Sequence, residues 1–242
     1  VDFNLRQNID LLYGHPSVNL VALYGPEHGV RGEFSAGDKV DTYTDAKTGL
    51  TVFSLYGKTR KPTPDMLTGV DVLLFDIQDI GSRSYTYIST MGLAMEAAAE
   101  NNIEFMVLDR PNPLGGEKIE GSLVDDGYYS FVSQFNIPYI HGLTVGELAN
   151  LLNEEKMLGN GIKCKLTVIP MQGWKRAMDF SETGLRWVPT SPHIPTAEHP
   201  KYYAATCILG ELGVISEGVG YTLPFQLLGY EGIDAEKISA EM

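Results

Sequence analysis

Val18-Asn19-Leu20-Val21-Ala22-Leu23-Tyr24 runs directly into Gly25-Pro26-Glu27-His28-Gly29-Val30-Arg31-Gly32-Glu33. The first stretch has the length and apolar character of a buried strand. Pro26 ends it, and Gly29 and Gly32 let the backbone turn sharply. Two carboxylates, an imidazole and a guanidinium therefore gather where a strand stops, which is more charge than a turn requires.

Outward from this point, strand and helix signals alternate. Asn4 to Tyr13 places Leu5, Ile9 and Leu12 at helical spacing, with Asp2 or Asn4 as cap. Thr51–Leu55 predicts a short strand, and Pro62 and Pro64 punctuate the chain before a short helix at Asp65–Thr68. Val70–Asp76, Ile103–Asp109 and Lys165–Ile169 read as further buried strands. Helices are predicted from Ser84 to Glu100, from a Thr144 cap with Glu147 completing a capping box to Lys156, and from about Tyr202 to Leu212. Near-continuous apolar strands separated by helices indicate an α/β fold: a Rossmann-like parallel sheet with helices on both faces. From Gln172 to Pro200 the pattern gives way to a Trp-, Pro- and Thr-rich segment expected to form an irregular lid.

The chain has 242 residues, of which 43% are hydrophobic, enough for one large core. Its formal net charge of −13 argues against nucleic acid and against anionic membrane surfaces. No stretch reaches the apolar length of a membrane span, and the first residues do not read as a signal peptide. Cys164 and Cys207 are the only cysteines, so neither a disulfide framework nor a thiolate metal site is implied.

The residues just beyond each strand carry the chemistry. After the first come Glu27, His28 and Arg31; after the second, Asp76, Gln78, Asp79, Arg83 and Tyr85; after the third, Asp109, Arg110 and Asn112. In a parallel sheet these ends share one edge, where open α/β sheets bind ligands. Gly-x-Gly-x-x-Gly in a strand-to-helix context, a Walker sequence, Gly-x-Ser-x-Gly and His-Glu-x-x-His are all absent, so no cofactor or metal is expected. What remains is carboxylate chemistry beside arginines and tyrosines, which suits glycoside hydrolysis. Structural readings stand beside the functional ones: ion pairing for the arginines, orientation of Glu27 for His28, surface charge for Glu33 or Asp38. Two other readings are a binder without turnover and a metal-dependent hydrolase using Glu27, His28, Asp76 and Asp79.

Six motifs occur in order: Gly25-Pro26-Glu27-His28-Gly29, Ser54-Leu55-Tyr56-Gly57, Phe75-Asp76-Ile77-Gln78-Asp79-Ile80-Gly81, Asp109-Arg110-Pro111-Asn112-Pro113, His141-Gly142-Leu143-Thr144 and Trp187-Val188-Pro189. Together they resemble the bacterial exo-β-N-acetylmuramidase family, once known only as a domain of unknown function. The resemblance implies a Rossmann-like catalytic domain over residues 1–232, its first strand lying before this chain, and the start of a further C-terminal domain at 233–242. It implies an enzyme, secreted or periplasmic, that releases N-acetylmuramic acid from the non-reducing end of peptidoglycan fragments, with Glu27 as catalytic acid. Glu33 and Asp76 are the candidate further catalytic carboxylates, and muramyl saccharides the expected partners. An Arg is expected within Ser216–Gly220, where Val219 stands instead.

Overall fold

The computed structural model describes residues 1–35, 37–38 and 40–241; Met242, the last residue of the expected 233–242 segment, lies outside them. The predicted parallel strands form, but in two separate sheets. In the first, β1 (Leu23–Gly25) pairs in parallel with β3 (Thr51–Ser54), whose other edge carries the antiparallel β2 (Tyr43–Thr44). In the second, β4 (Val72–Phe75), β5 (Glu104–Leu108) and β6 (Lys165–Ile169) are all parallel, in that order.

Helix α2 (Tyr87–Glu100) connects β4 to β5, and α3 (Val145–Glu154) connects β5 to β6. Right-handed crossovers stepping in one direction put successive helices on one face, and α2 and α3 do touch each other as well as the sheet. The core between them is formed by Phe105, Met91, Met95, Val107, Leu148 and Leu152, each fully buried. Thr144 accepts a hydrogen bond from the Glu147 amide, and Glu147 in turn accepts one from the Thr144 amide, so the predicted capping box is present. Replacing Thr144 with Ala is expected to cost about 1 kcal/mol, read as a lower midpoint in urea at unchanged slope.

Several boundaries differ from the sequence reading. The Asp2 carboxylate captures the amides of Asn4 and Arg6, and Leu5 sits at φ 62°, so the N-terminal helix shrinks to α1 (Asn8–Tyr13). The strand expected from Val18 is regular only from Leu23, because residues 18–22 find no neighbouring strand to pair with. Tyr85 bonds back to the Ser82 carbonyl in a turn, which delays α2 to Tyr87. The predicted lid is irregular apart from a 3-10 turn at Phe180–Thr183, and α4 (His199–Gly210) follows it.

Among the described residues the outer edges of β1 and β4 pair with no strand, and a cavity of about 890 Å³ lies between the two sheets. Val21, Leu23, Val70, Leu73 and Ile9 are among its lining residues.

Candidate active site

Pro26 breaks the ladder immediately after β1, and His28 at φ 71° and Gly29 at φ 75° turn the chain back. Position 29 requires glycine on a second count, since a Cβ there would come within 2.7 Å of the Phe34 ring. The His28 ring is buried and its Nδ1 lies 3.0 Å from the Phe34 carbonyl oxygen. A carbonyl only accepts, so Nδ1 carries the proton. His28 therefore locks the loop's own backbone; it does not orient Glu27.

Glu27 is half-buried. One carboxylate oxygen accepts from the Thr86 hydroxyl at 2.7 Å and the other from the Gly37 amide at 3.1 Å. Burial first, then the charge of Glu27, pushes the nearby Tyr56 phenol up to about 12. A hydroxyl donates or accepts, so Thr86 can serve Glu27 in either protonation state, which a guanidinium cannot do. The charges of both Glu27 and Asp79 also reach the hydroxyls of Tyr85 and Tyr87.

The other strand-end charges are occupied. Arg31 places a two-pronged grip on Asp45, at 2.5 and 2.8 Å, and also bonds Asp10 and Gln7. Glu33, named as a second catalytic carboxylate, accepts from the Tyr43 hydroxyl at 2.6 Å and from the Arg31 amide at 2.9 Å. Asp38 accepts from the Ser35 amide. Asp76 is enclosed by Arg110 and by the Asn8 amide group. Asp109, read as a sugar contact, instead accepts from the Thr144 hydroxyl and from the Gly146 and Arg110 amides at the start of α3; burial raises its pKa in spite of them. Asn112 bridges the Leu143 carbonyl and the Leu114 amide, and Gln78 bonds the carbonyls of Asp79 and Pro111. Tyr85 and Tyr87 bond the Thr190 hydroxyl and carbonyl respectively, tying the lid segment to the strand ends. These polar atoms are engaged within the fold because each lies where a loop or helix end needs its backbone groups satisfied.

Arg83 is different. It donates to the carbonyls of Ser122 and Ile137, both at 2.6 Å, and faces no carboxylate among the described residues. Asp79 is 4% exposed: its Oδ2 accepts from the Gly81 amide, and its Oδ1 has no partner among the described residues. The buried His141 Nε2, also without a partner among them, lies 3.8 Å from Oδ2. Among the described residues no group of three or more His, Cys, Asp or Glu side chains is placed to hold an ion, so the four metal-ligand candidates do not converge. Sequence reasoning missed Thr86 and assigned no role to Tyr56, although Tyr56 lies in a quoted motif.

A family description, exo-β-N-acetylmuramidase NamZ, matches the chain with its N-terminal part over residues 1–198 and with its C-terminal part over 201–242. This chain belongs to that family. A curated relative from Bacillus subtilis, a peptidoglycan β-N-acetylmuramidase, is 55% identical over 229 residues, 95% of this chain and 54% of the relative. Crystal structures of two DUF1343 family proteins from Bacteroides fragilis superpose with TM-scores of 0.92 and 0.81, at 61% and 35% identity. They are matched over 100% and 95% of this chain, but over only 60% and 59% of their own. The chain thus spans little more than half the length of the relatives it matches. Family membership agrees with the resemblance drawn from the six motifs, and the parallel α/β architecture with the predicted fold class. No helix among the described residues is long and apolar enough to cross a membrane.

Proposed function

We propose that this protein is an exo-acting glycoside hydrolase that releases N-acetylmuramic acid from the non-reducing end of peptidoglycan fragments, with Glu27 as general acid. The observation that carries this reading is the setting of Glu27. It stands at the carboxyl end of a sheet strand, on a loop locked by its own backbone bonds, and it accepts from one amide and one hydroxyl. Among the described residues Glu27 makes no ion pair, whereas Asp45 and Asp76 are gripped by arginines.

Glu33 is bonded by Tyr43 and Asp76 by Arg110, so both candidate second carboxylates are engaged within the fold. The sugar's own 2-acetamido oxygen is the nucleophile we favour, which retains configuration. On this reading the enzyme works outside the cytoplasmic membrane, where its substrate lies.

The test is hydrolysis of a chromogenic β-N-acetylmuramide, followed by chemical identification of the released sugar. Turnover that persists in excess chelator is the expected result. Tight sugar binding without release of the aglycone would overturn the catalytic reading in favour of a binder. Trapping of a fluorinated muramide as an ester on Glu33 or Asp38 would overturn the acetamide route.

A further inference from the structure

Beside Tyr56 stand two residues that no motif marks, Arg60 and Phe131. The Arg60 guanidinium carbon lies 3.9 Å from the Phe131 ring centroid and 5.2 Å from that of Tyr56. The two rings are 6.1 Å apart and tilted by 49°. A cation over aromatic faces is attracted by their quadrupoles, so Arg60 is held against the two rings.

Most other arginines are already engaged. Arg6, Arg31, Arg110 and Arg176 pair with carboxylates, and Arg83 donates to backbone carbonyls. Arg186 lines the cavity between the sheets and rests on no ring among the described residues. Arg60 makes no hydrogen bond and no ion pair among the described residues, yet it is positioned by two aromatics. The other neighbour of that Tyr56 phenol is Glu27: the charges of both Glu27 and Arg60 act on it, in opposite directions. The Arg60 guanidinium, over the Tyr56 ring, and the proposed proton donor therefore share one side chain as neighbour.

In a chain of net charge −13, an anionic ligand meets a repulsive field unless a local cation offsets it. N-Acetylmuramic acid is such a ligand, because it differs from N-acetylglucosamine by a lactyl ether that carries a carboxylate. We propose that Arg60, held by Tyr56 and Phe131, is the receptor for this lactyl carboxylate and sets the preference for muramyl over glucosaminyl ends. A planar guanidinium can take a carboxylate through two parallel hydrogen bonds, which an ammonium cannot reproduce. The assignment rests on the function proposed above and adds to it the residue that selects the sugar.

Calorimetric titration tests it, with N-acetylmuramic acid, its lactyl methyl ester and N-acetylglucosamine as ligands for the wild type and for Arg60→Ala, Arg60→Lys and Arg83→Lys. Thermal melts check that each variant is folded. Arg60→Ala should weaken N-acetylmuramic acid roughly 10- to 100-fold and leave the methyl ester within about 2-fold, so that the preference for the acid collapses. Arg60→Lys should recover only part of it, and Arg83→Lys should keep it. An unchanged acid-to-ester ratio in Arg60→Ala overturns the proposal, as does loss of discrimination in Arg83→Lys alone. A wild type that binds none of the three sugars overturns the functional reading itself, and that outcome is separable because it precedes any variant.

Discussion

Glu27→Gln should lower kcat on a muramyl disaccharide roughly 10²- to 10⁴-fold while leaving the fold intact, the loss expected when a positioned general acid is removed. Gln keeps the shape, and its carbonyl can still accept from Thr86 or Gly37. Its amide can donate to a hydroxyl lone pair on Thr86 while its carbonyl keeps the Gly37 bond, so both partners stay satisfied. Affinity for N-acetylmuramic acid should change by no more than a few-fold. The loss should also depend on the leaving group. An aryl aglycone that departs as a stable anion needs little protonation and should be much less affected than a sugar alkoxide. A near-native kcat on the disaccharide, or an equal loss on both substrates, would remove Glu27 from this role.

Asp45→Asn is expected to cost about 3 kcal/mol of stability and to slow turnover as well, although Asp45 touches neither Glu27 nor the sugar. Asp45 is 4% exposed and receives both prongs of Arg31, together with the Thr48 amide and hydroxyl. Arg31 belongs to the Glu27 loop, Asp45 to the turn between β2 and β3, and Asp10 to α1, so one guanidinium fastens three segments. Removing the charge leaves a largely enclosed cation with a single carboxylate. The Arg31 guanidinium holds the Asp45 carboxyl well below the usual carboxylate range. A depressed folded-state pKa contributes stability that is complete above the unfolded value, near pH 4, and is lost as pH falls towards the folded value. Urea midpoints measured from pH 6 down to pH 2 should therefore fall more steeply for wild type than for Asp45→Asn. Parallel curves would show that the pair contributes nothing to folding.

The strands β4 and β5 were legible because each is a short apolar run closed by an aspartate, β6 because its run stops at Pro170, and α3 because a Thr-x-x-Glu box announces its start. β1 was overread because an apolar run becomes a regular strand only where a neighbour accepts its hydrogen bonds, and neighbours are invisible in one dimension. Glu27 was legible for its position between Pro26 and His28. Thr86, 59 residues away, was not, because no spacing rule joins a turn before α2 to a loop after β1. The arginines show the same limit. Arg31, Arg83 and Arg110 look alike in sequence, each near an acid, and only the fold reveals that two are tied to aspartates and the third to carbonyls. Arg60 lacked any signal, since its ring partners, Tyr56 and Phe131, are drawn together through space.

Tyr85, Thr86 and Tyr87 follow one another in the chain, yet the outer two bond Thr190 and the middle one bonds Glu27. Three consecutive residues thus register the Trp-, Pro- and Thr-rich segment against the acid-bearing loop, and a displacement of either is passed to the other through a single turn of backbone.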